Sequence, residues 1–473
     1  MSKKKQKSIE ELLEEALVPE EEHPYIVPKN WVWTRTGIIH EIVTGATPSK
    51  KNNEYYGGNF PFVKPGDLDQ EDSVIVASEY LTDKGKEVSR IIPKHSTLVC
   101  CIGSIGKTGF NLVECTTNQQ INSLIPNKKV IYPKYTYYFS LSSTYQNLLL
   151  KSSSSTTVSI INKSKMSKLP FALPPLNEQK RIAEKIERLF AKIDEAKRLI
   201  EEVKGSFEPR RAAILDRAFG GRLGTNDPKE KSMFETFNEL TEKDLIPKEE
   251  QPYEVPKNWV WIRLGSFLPP METRDLARLE SENFLYVDID SIDNNKFEIR
   301  EPKIIEIKNA PSRAKRRIDK GDVIISLVRP YLRNVARVLF DDPRLVASTA
   351  FYVCKRNKVT ETNYLYYYLI TSFVTNYLNV RTKGHNAPSV RNSDFLELPI
   401  PIPPVEEQKR IAEKVDILLS KLETEKEMVL EVEQKLNSLK QSILNKAFRG
   451  ELGTNDPTDE HAIELLKEVL KYK

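Results

Sequence analysis

At 473 residues the chain is long enough for two or three separate cores and too long for a single small domain. Apolar residues at 39% and charged residues at 29% exclude wholesale disorder, while a net charge of +5 admits an acidic partner without requiring one. No window is apolar enough for a signal peptide or a membrane span, so a cytoplasmic protein with no membrane contact is expected.

Residues 1–23 form a lysine- and glutamate-rich arm, expected to be a helix that docks partners or a flexible join. The region 24–173 is expected to be a globular domain, opening on PYIVPKNWVW at 24–33. Region 174–220 opens on PPLNEQKRIAEK and places Ile182, Ile186, Leu189, Ile193, Ala196, Ile200, Val203 and Phe207 at alternating spacings of four and three. That spacing puts an apolar seam on one side of a long helix and calls for a second helix against it. The Pro-Pro pair marks its start and Gly220 its stop, and Pro209 predicts a kink or break inside it. A charged linker, 221–251, leads to a second globular region, 252–402, which opens on PYEVPKNWVW. Region 403–450 opens on PPVEEQKRIAEK and carries a second seam: Ile411, Val415, Leu418, Leu422, Glu425, Val429, Val432, Leu436, Leu439 and Ile443. The tail 451–473 is amphipathic, with Ile463, Leu465, Leu466, Val469 and Leu470.

These matches share an offset of 228 or 229 residues, as does GTNDP at 224–228 and 453–457, so the chain is one tandem duplication. Between the matched flanks, 50–171 and 280–400 keep only a faint common frame. Tyr135, Tyr137 and Tyr138 align with Tyr364, Tyr366 and Tyr367, which read as core. Two equal catalytic sites would keep their reactive residues alike in both copies, whereas a reader of two different ligands would not. Each helix spans about 40 residues, roughly 60 Å at 1.5 Å per residue. The economical arrangement pairs them antiparallel within one chain about a pseudo-two-fold axis; a coiled coil between separate chains is the other arrangement that the seams allow.

The P-x-N-W-x-W-x-R segments (Pro28, Asn30, Trp31, Trp33, Arg35; Pro256, Asn258, Trp259, Trp261, Arg263), each closed by P-P-x-x-E-Q-K-R-I-A-E-K, resemble those of type I restriction-modification specificity subunits. Residues 45–49, 64–68, 103–107 and 118–122 look like one class of target recognition domain of that family, and 327–333 with 348–351 like another. The resemblance implies an α+β fold with two mixed target recognition domains separated by two long antiparallel helices. It also implies a non-catalytic chain that reads double-stranded DNA at a split site, joined by two methyltransferase subunits and in some systems two restriction subunits. S-adenosylmethionine, ATP and magnesium would then belong to those partners, with no cofactor on this chain. A coiled-coil scaffold that binds no DNA is the rival expectation.

No catalytic set repeats between the copies, and no [ND]-P-P-[FYW] loop is present to grip a flipped base. CIGSIGKT at 101–108 has cysteine where a phosphate loop needs glycine and leads into a strand-like GFNLV, so a turn between strands is expected. The five histidines and Cys100, Cys101, Cys115 and Cys354 show no metal-ligand spacing; no metal site is expected and the thiols should be free and buried. Duplex reading needs cations for phosphates and planar donors for base edges. The first domain offers Thr47, Ser49, Lys64, Lys107, Asn118 and Gln119, with further polar residues at 152–157. Arg313, Arg316, Arg329, Arg333, Asn334, Arg337 and Lys383 are the candidates in the second.

Overall fold

The computed structural model describes residues 8–153, 159–384 and 386–471; His385 and the serine and threonine run at 154–157 lie outside the described residues. The architecture is α+β and divides into two units, residues 1–200 with 431–473 and residues 201–430.

In the first unit, Val32–Arg35 pairs antiparallel with Pro170–Leu173, setting Trp33 opposite Ala172. Between these two strands the chain builds a four-stranded sheet ordered His40–Thr44, Ile121–Pro126, Thr97–Cys100, Thr108–Phe110. A three-stranded sheet follows the order Glu79–Leu81, Tyr56–Val63, Thr116–Thr117. Helix Pro133–Leu141 buries Tyr135, Tyr137 and Tyr138 against the larger sheet, and the Tyr135 hydroxyl donates to the Ala172 carbonyl at 2.9 Å.

The second unit repeats the plan. Val260–Arg263 pairs with Pro399–Ile402 in the same register, Trp261 opposite Pro401. A five-stranded sheet runs Ile292–Asp293, Glu298–Ile299, Val335–Arg337, Val323–Ser326, Phe351–Cys354. Beside it lies a four-stranded sheet of Lys303–Glu306, Asn283–Val287, Leu345–Ser348 and Ala314–Arg317. Tyr364, Tyr366 and Tyr367 on helix Thr362–Leu369 are buried as their counterparts are.

Two long helices, Leu176–Phe219 and Val405–Phe448, have 44 residues each. The break expected at Pro209 does not occur, for the helix runs through it. A proline ring crowds the carbonyl four residues earlier; here that residue is Gly205, which has no side chain and open space around its Cβ position. In the first unit Ile182, Ile186 and Ile193 are buried in one core with Ile443, Leu444, Ala447 and Phe448, and Leu189 is half-buried against it. In the second, Leu215, Ala218 and Phe219 share a core with Ile411, Ala412 and Val415, with Leu418 half-buried against it. The start of each helix therefore meets the end of the other. Ile200 and Leu422 are also buried, and Val429 is half-buried. Val203 (41% exposed), Val432 (47%) and Leu439 (44%) leave the seam that their spacing assigned them to; a 3.6-residue helix drifts about 20° per heptad from a 3.5 repeat, which carries such positions off a fixed stripe. Glu425, a blemish in the apolar pattern, is exposed enough to pair with Arg210 at 2.7 Å.

The shared motifs are the joints of this frame. Glu178 is fully buried and accepts from the Trp31 indole at 2.7 Å and the Asn455 amide at 2.8 Å. Its counterpart Glu407 accepts from Thr225 Oγ1 (2.7 Å), the Asn226 backbone (2.9 Å) and Arg410. Thus each GTNDP loop closes over the first turn of the opposite helix. Gln179 and Gln408 tie the same turns to the globular domains through the Val130 and Val359 carbonyls, at 3.0 and 2.9 Å.

The N-terminal arm and the tail meet in the first unit. Helices Ile9–Ala16 and Ala462–Leu470 pack on each other and bury Ala16, Ala462 and Leu466. Val18 N–H donates to the Trp33 carbonyl at 3.0 Å, as Ile246 N–H does to Trp261 at 2.8 Å. The repeat accordingly begins at Leu17 and Leu245, earlier than the PY segments suggest, and the linker's end belongs to the second domain.

Candidate nucleic-acid interface

The 101–108 segment is the turn of an antiparallel hairpin between Thr97–Cys100 and Thr108–Phe110. Residues 327–334 close the equivalent hairpin between Val323–Ser326 and Val335–Arg337. Around each turn the same backbone hydrogen bonds recur. Cys101 N–H donates to the Gln120 carbonyl (2.7 Å) and Ile161 N–H to Cys101 (3.0 Å); Leu327 N–H donates to Ala350 (3.1 Å) and Val390 N–H to Leu327 (2.9 Å). Gly103 N–H donates to Ser159 and Arg329 N–H to Pro388, at 3.2 and 2.7 Å. Three separate segments therefore meet at one rim in each domain: the hairpin turn, the 118–120 or 348–350 loop, and the loop near 160 or 389.

What the rims present differs. In the first domain Thr47 Oγ1 donates to Gln119 Oε1 at 2.6 Å, both exposed, with exposed Ser49 nearby in sequence. Asn118 is buried and turns its amide onto Gln120 Oε1 at 2.9 Å, so it shapes the loop. Lys64 is half-buried and paired with Glu79 at 2.8 Å. Lys107 pairs with Asp69 at 2.8 Å and lines a cavity with Asp72, Glu187 and Asp194, an acidic setting that turns it away from a phosphate.

In the second domain the rim is basic. Arg313 and Lys383 are exposed; the Arg313 carbonyl accepts from Thr349 N–H (2.9 Å), and Lys383 exchanges backbone hydrogen bonds with Ser389. Arg329 is exposed and sits at φ +51°, where the matching turn has Gly103 at +76°. A left-handed non-glycine residue is disfavoured by about 1–2 kcal/mol. Its backbone is held there by the bond to Pro388 and by Leu332 N–H donating to its carbonyl at 2.9 Å, while its guanidinium makes one 3.3 Å contact with the Asn386 carbonyl.

Arg333, Asn334, Arg337 and Arg316 do not face this rim as free donors. Arg333 donates to the Ile370 carbonyl (2.7 Å), stacks 4.9 Å over Phe297 and faces Glu208 at 3.7 Å, which ties the turn to the first long helix. Arg337 donates to Asn363 at 2.6 Å and lies 4.4 Å over the Tyr366 ring. Asn334 is buried, and Arg316 is half-buried on its strand. The sequence reading missed Tyr331, 53% exposed at the tip of the turn between the two arginines, and the loop near 160 and 389. The equal bridges Ile102–Ile160 and Val328–Ser389 are the pairing signal, visible only in three dimensions.

All four cysteines are free and buried, and burial pushes Cys101 and Cys115 up to about 12, so neither is a ready nucleophile. Among the described residues no cluster of His, Cys, Asp and Glu could hold a metal, and no helix is long and apolar enough to cross a membrane.

Residues 28–205 and 256–434 each match the family model described as Type I restriction modification DNA specificity domain. Among curated proteins the chain is similar to the StySPI specificity subunit of Salmonella potsdam, 25% identical over 90% of both chains. The EcoKI specificity subunit of Escherichia coli K12 is 23% identical over 90% of both. The EcoDI specificity subunit of Escherichia coli is 28% identical over 63% of this chain and 65% of its own length. Among solved structures, the HsdS subunit from Thermoanaerobacter tengcongensis shares the fold, with a TM-score of 0.62 at 20% identity over 91% of this chain and all of that one. A chain from a structure of the type I R-M system scores 0.65 at 21% identity with the same coverage.

Proposed function

The chain belongs to the type I restriction-modification DNA specificity family, and on that premise we propose that each repeat reads one half of a split duplex site while the long helices set the unread spacer. The observation that carries this reading is the pair of rims: one backbone frame, two unlike sets of exposed side chains. Thr47, Ser49 and Gln119 suit base edges through neutral donors and acceptors. Arg313, Arg329 and Lys383 suit phosphates and guanine. Methylation and ATP-driven cleavage fall to partner subunits, which would carry S-adenosylmethionine, ATP and magnesium; this chain contributes recognition and docking. Apolar side chains exposed on the long helices, Leu199, Val432 and Leu439 in the first unit and Val203, Met428 and Leu430 in the second, support that docking role.

Methylome mapping of a host with and without this gene tests the reading directly. A bipartite motif with two unlike halves should appear with the gene, and Arg329→Ala should relax one half alone. Equal relaxation of both halves, or no gene-dependent motif, overturns it and favours the scaffold.

A further inference from the structure

The two repeats differ within the shared frame where the end of a long helix meets the PY segment. In the first unit Arg449 follows the second long helix, and its guanidinium lies 5.1 Å from the Tyr25 ring centroid; Tyr25 in turn meets Trp33 edge-on at 5.1 Å. The second unit keeps the aromatic pair, Tyr253 against Trp261 at 4.9 Å, but has Gly220 where Arg449 stands. A cavity of about 480 Å³ opens there, lined by Phe219, Tyr253, Tyr368, Phe373, Asp216 and Glu254.

Three further exchanges favour a cation and one supplies a competitor for it. Phe373 stands where the first repeat has Thr144, Asp216 where it has Asn445 and Glu254 where it has Ile26, a gain of one ring and two carboxylates, while Arg222, itself on the cavity wall, stands where the first repeat has Glu451. The cavity also adjoins the last turn of the helix Leu176–Phe219, whose partial negative charge favours a cation. Arg222 is the chain's own rival occupant, with Nε 3.4 Å from the Cβ position of Gly220. Among the described residues, however, it stacks on none of the cavity's rings.

We propose that this cavity is an arginine socket, filled by a guanidinium side chain of the modification subunit that docks at this end of the helix. The aromatic faces supply cation–π attraction and the two carboxylates complete the charge. The first repeat fills the same socket from within with Arg449, so the second unit's copy is the one open to an arginine from outside. The identity of that partner rests on the specificity-subunit reading; the socket itself does not.

The test has two arms. Full-length chain carrying 3-fluorotyrosine is titrated with N-acetyl-arginine amide or its neutral analogue N-acetyl-citrulline amide. The arginine probe should shift the Tyr253 resonance saturably, the citrulline probe at least about tenfold more weakly. G220R should abolish the response, and D216N combined with E254Q should weaken it several-fold. Equal response to both probes in the unmutated chain, or a response that appears only in R222A, overturns the socket whether or not G220R folds. In the second arm a photo-crosslinking phenylalanine at position 253 of the assembled complex should capture an arginine-bearing peptide of the modification subunit. Capture of DNA or of this chain alone would overturn the partner assignment and leave half-site reading, scored by methylation, untouched.

Discussion

Arg329 and Arg333 sit four residues apart in one turn, both left-handed, yet their side chains have opposite surroundings. Arg329→Gly should hold or raise stability by about 1 kcal/mol, because glycine relieves the positive φ, while recognition of one half-site falls. Arg333→Ala should instead lower the melting temperature of the second unit, since it removes the bond to Ile370 and the stack on Phe297. Thermal melts read beside methylation motifs separate the two; a stability loss in R329G with unchanged specificity would reverse the assignment.

The buried glutamates give a pH test. Burial raises Glu178, outweighing its bonds from Trp31 and Asn455. At Glu407 burial also pushes upward, but bonds from Asn226, Thr225 and Arg410 prevail and the carboxyl is lowered. A lowered carboxyl contributes stability that is complete above its unfolded value and lost as pH falls through the folded one; a raised carboxyl does the reverse, its ionisation weakening the fold at neutral pH. Acidification through the carboxylate range should therefore loosen the closure at Glu407 and tighten that at Glu178. Hydrogen exchange at the GTNDP loops would show it, and E407Q should weaken protection by on the order of 1–3 kcal/mol, more than E178Q does.

At the scale of elements, the long helices were legible because their apolar residues recur locally and their ends carry proline and glycine. The seam's misfits have local causes too: drift at Val432 and Leu439, and an ion pair at Glu425. The rims were not legible in the same way. Gln119, Arg329 and Lys383 stand out as polar, but only backbone bonds between distant segments separate them from Lys107, Arg333 and Arg337, which composition makes equally attractive. Sequence can rank cations; it cannot tell which are already engaged. Removing one heptad from each long helix at matched positions should change the preferred spacer and keep both half-sites, as methylome mapping would show. A changed half-site would mean that the helices shape the rims as well as space them.

For the whole molecule, the duplication makes the two domains formally interchangeable. On the proposed reading, exchanging the segments between Arg35 and Pro170 and between Arg263 and Pro399 amounts to turning the assembly end over end. The exchanged chain should therefore methylate the original motif, and a new motif would show that the two halves of the frame are not equivalent. Each variable segment leaves and re-enters the frame through two adjacent antiparallel strands, in identical register in the two copies. Such an insert is joined at its neck and tied to the helices by contacts that a replacement must keep, among them Gln179 to Val130 and Gln408 to Val359. PKNWVW and EQKRIAEK recur unchanged on either side of both variable segments, so on the proposed reading a foreign segment spliced in between those motifs would meet the same frame and bring a new half-site with it.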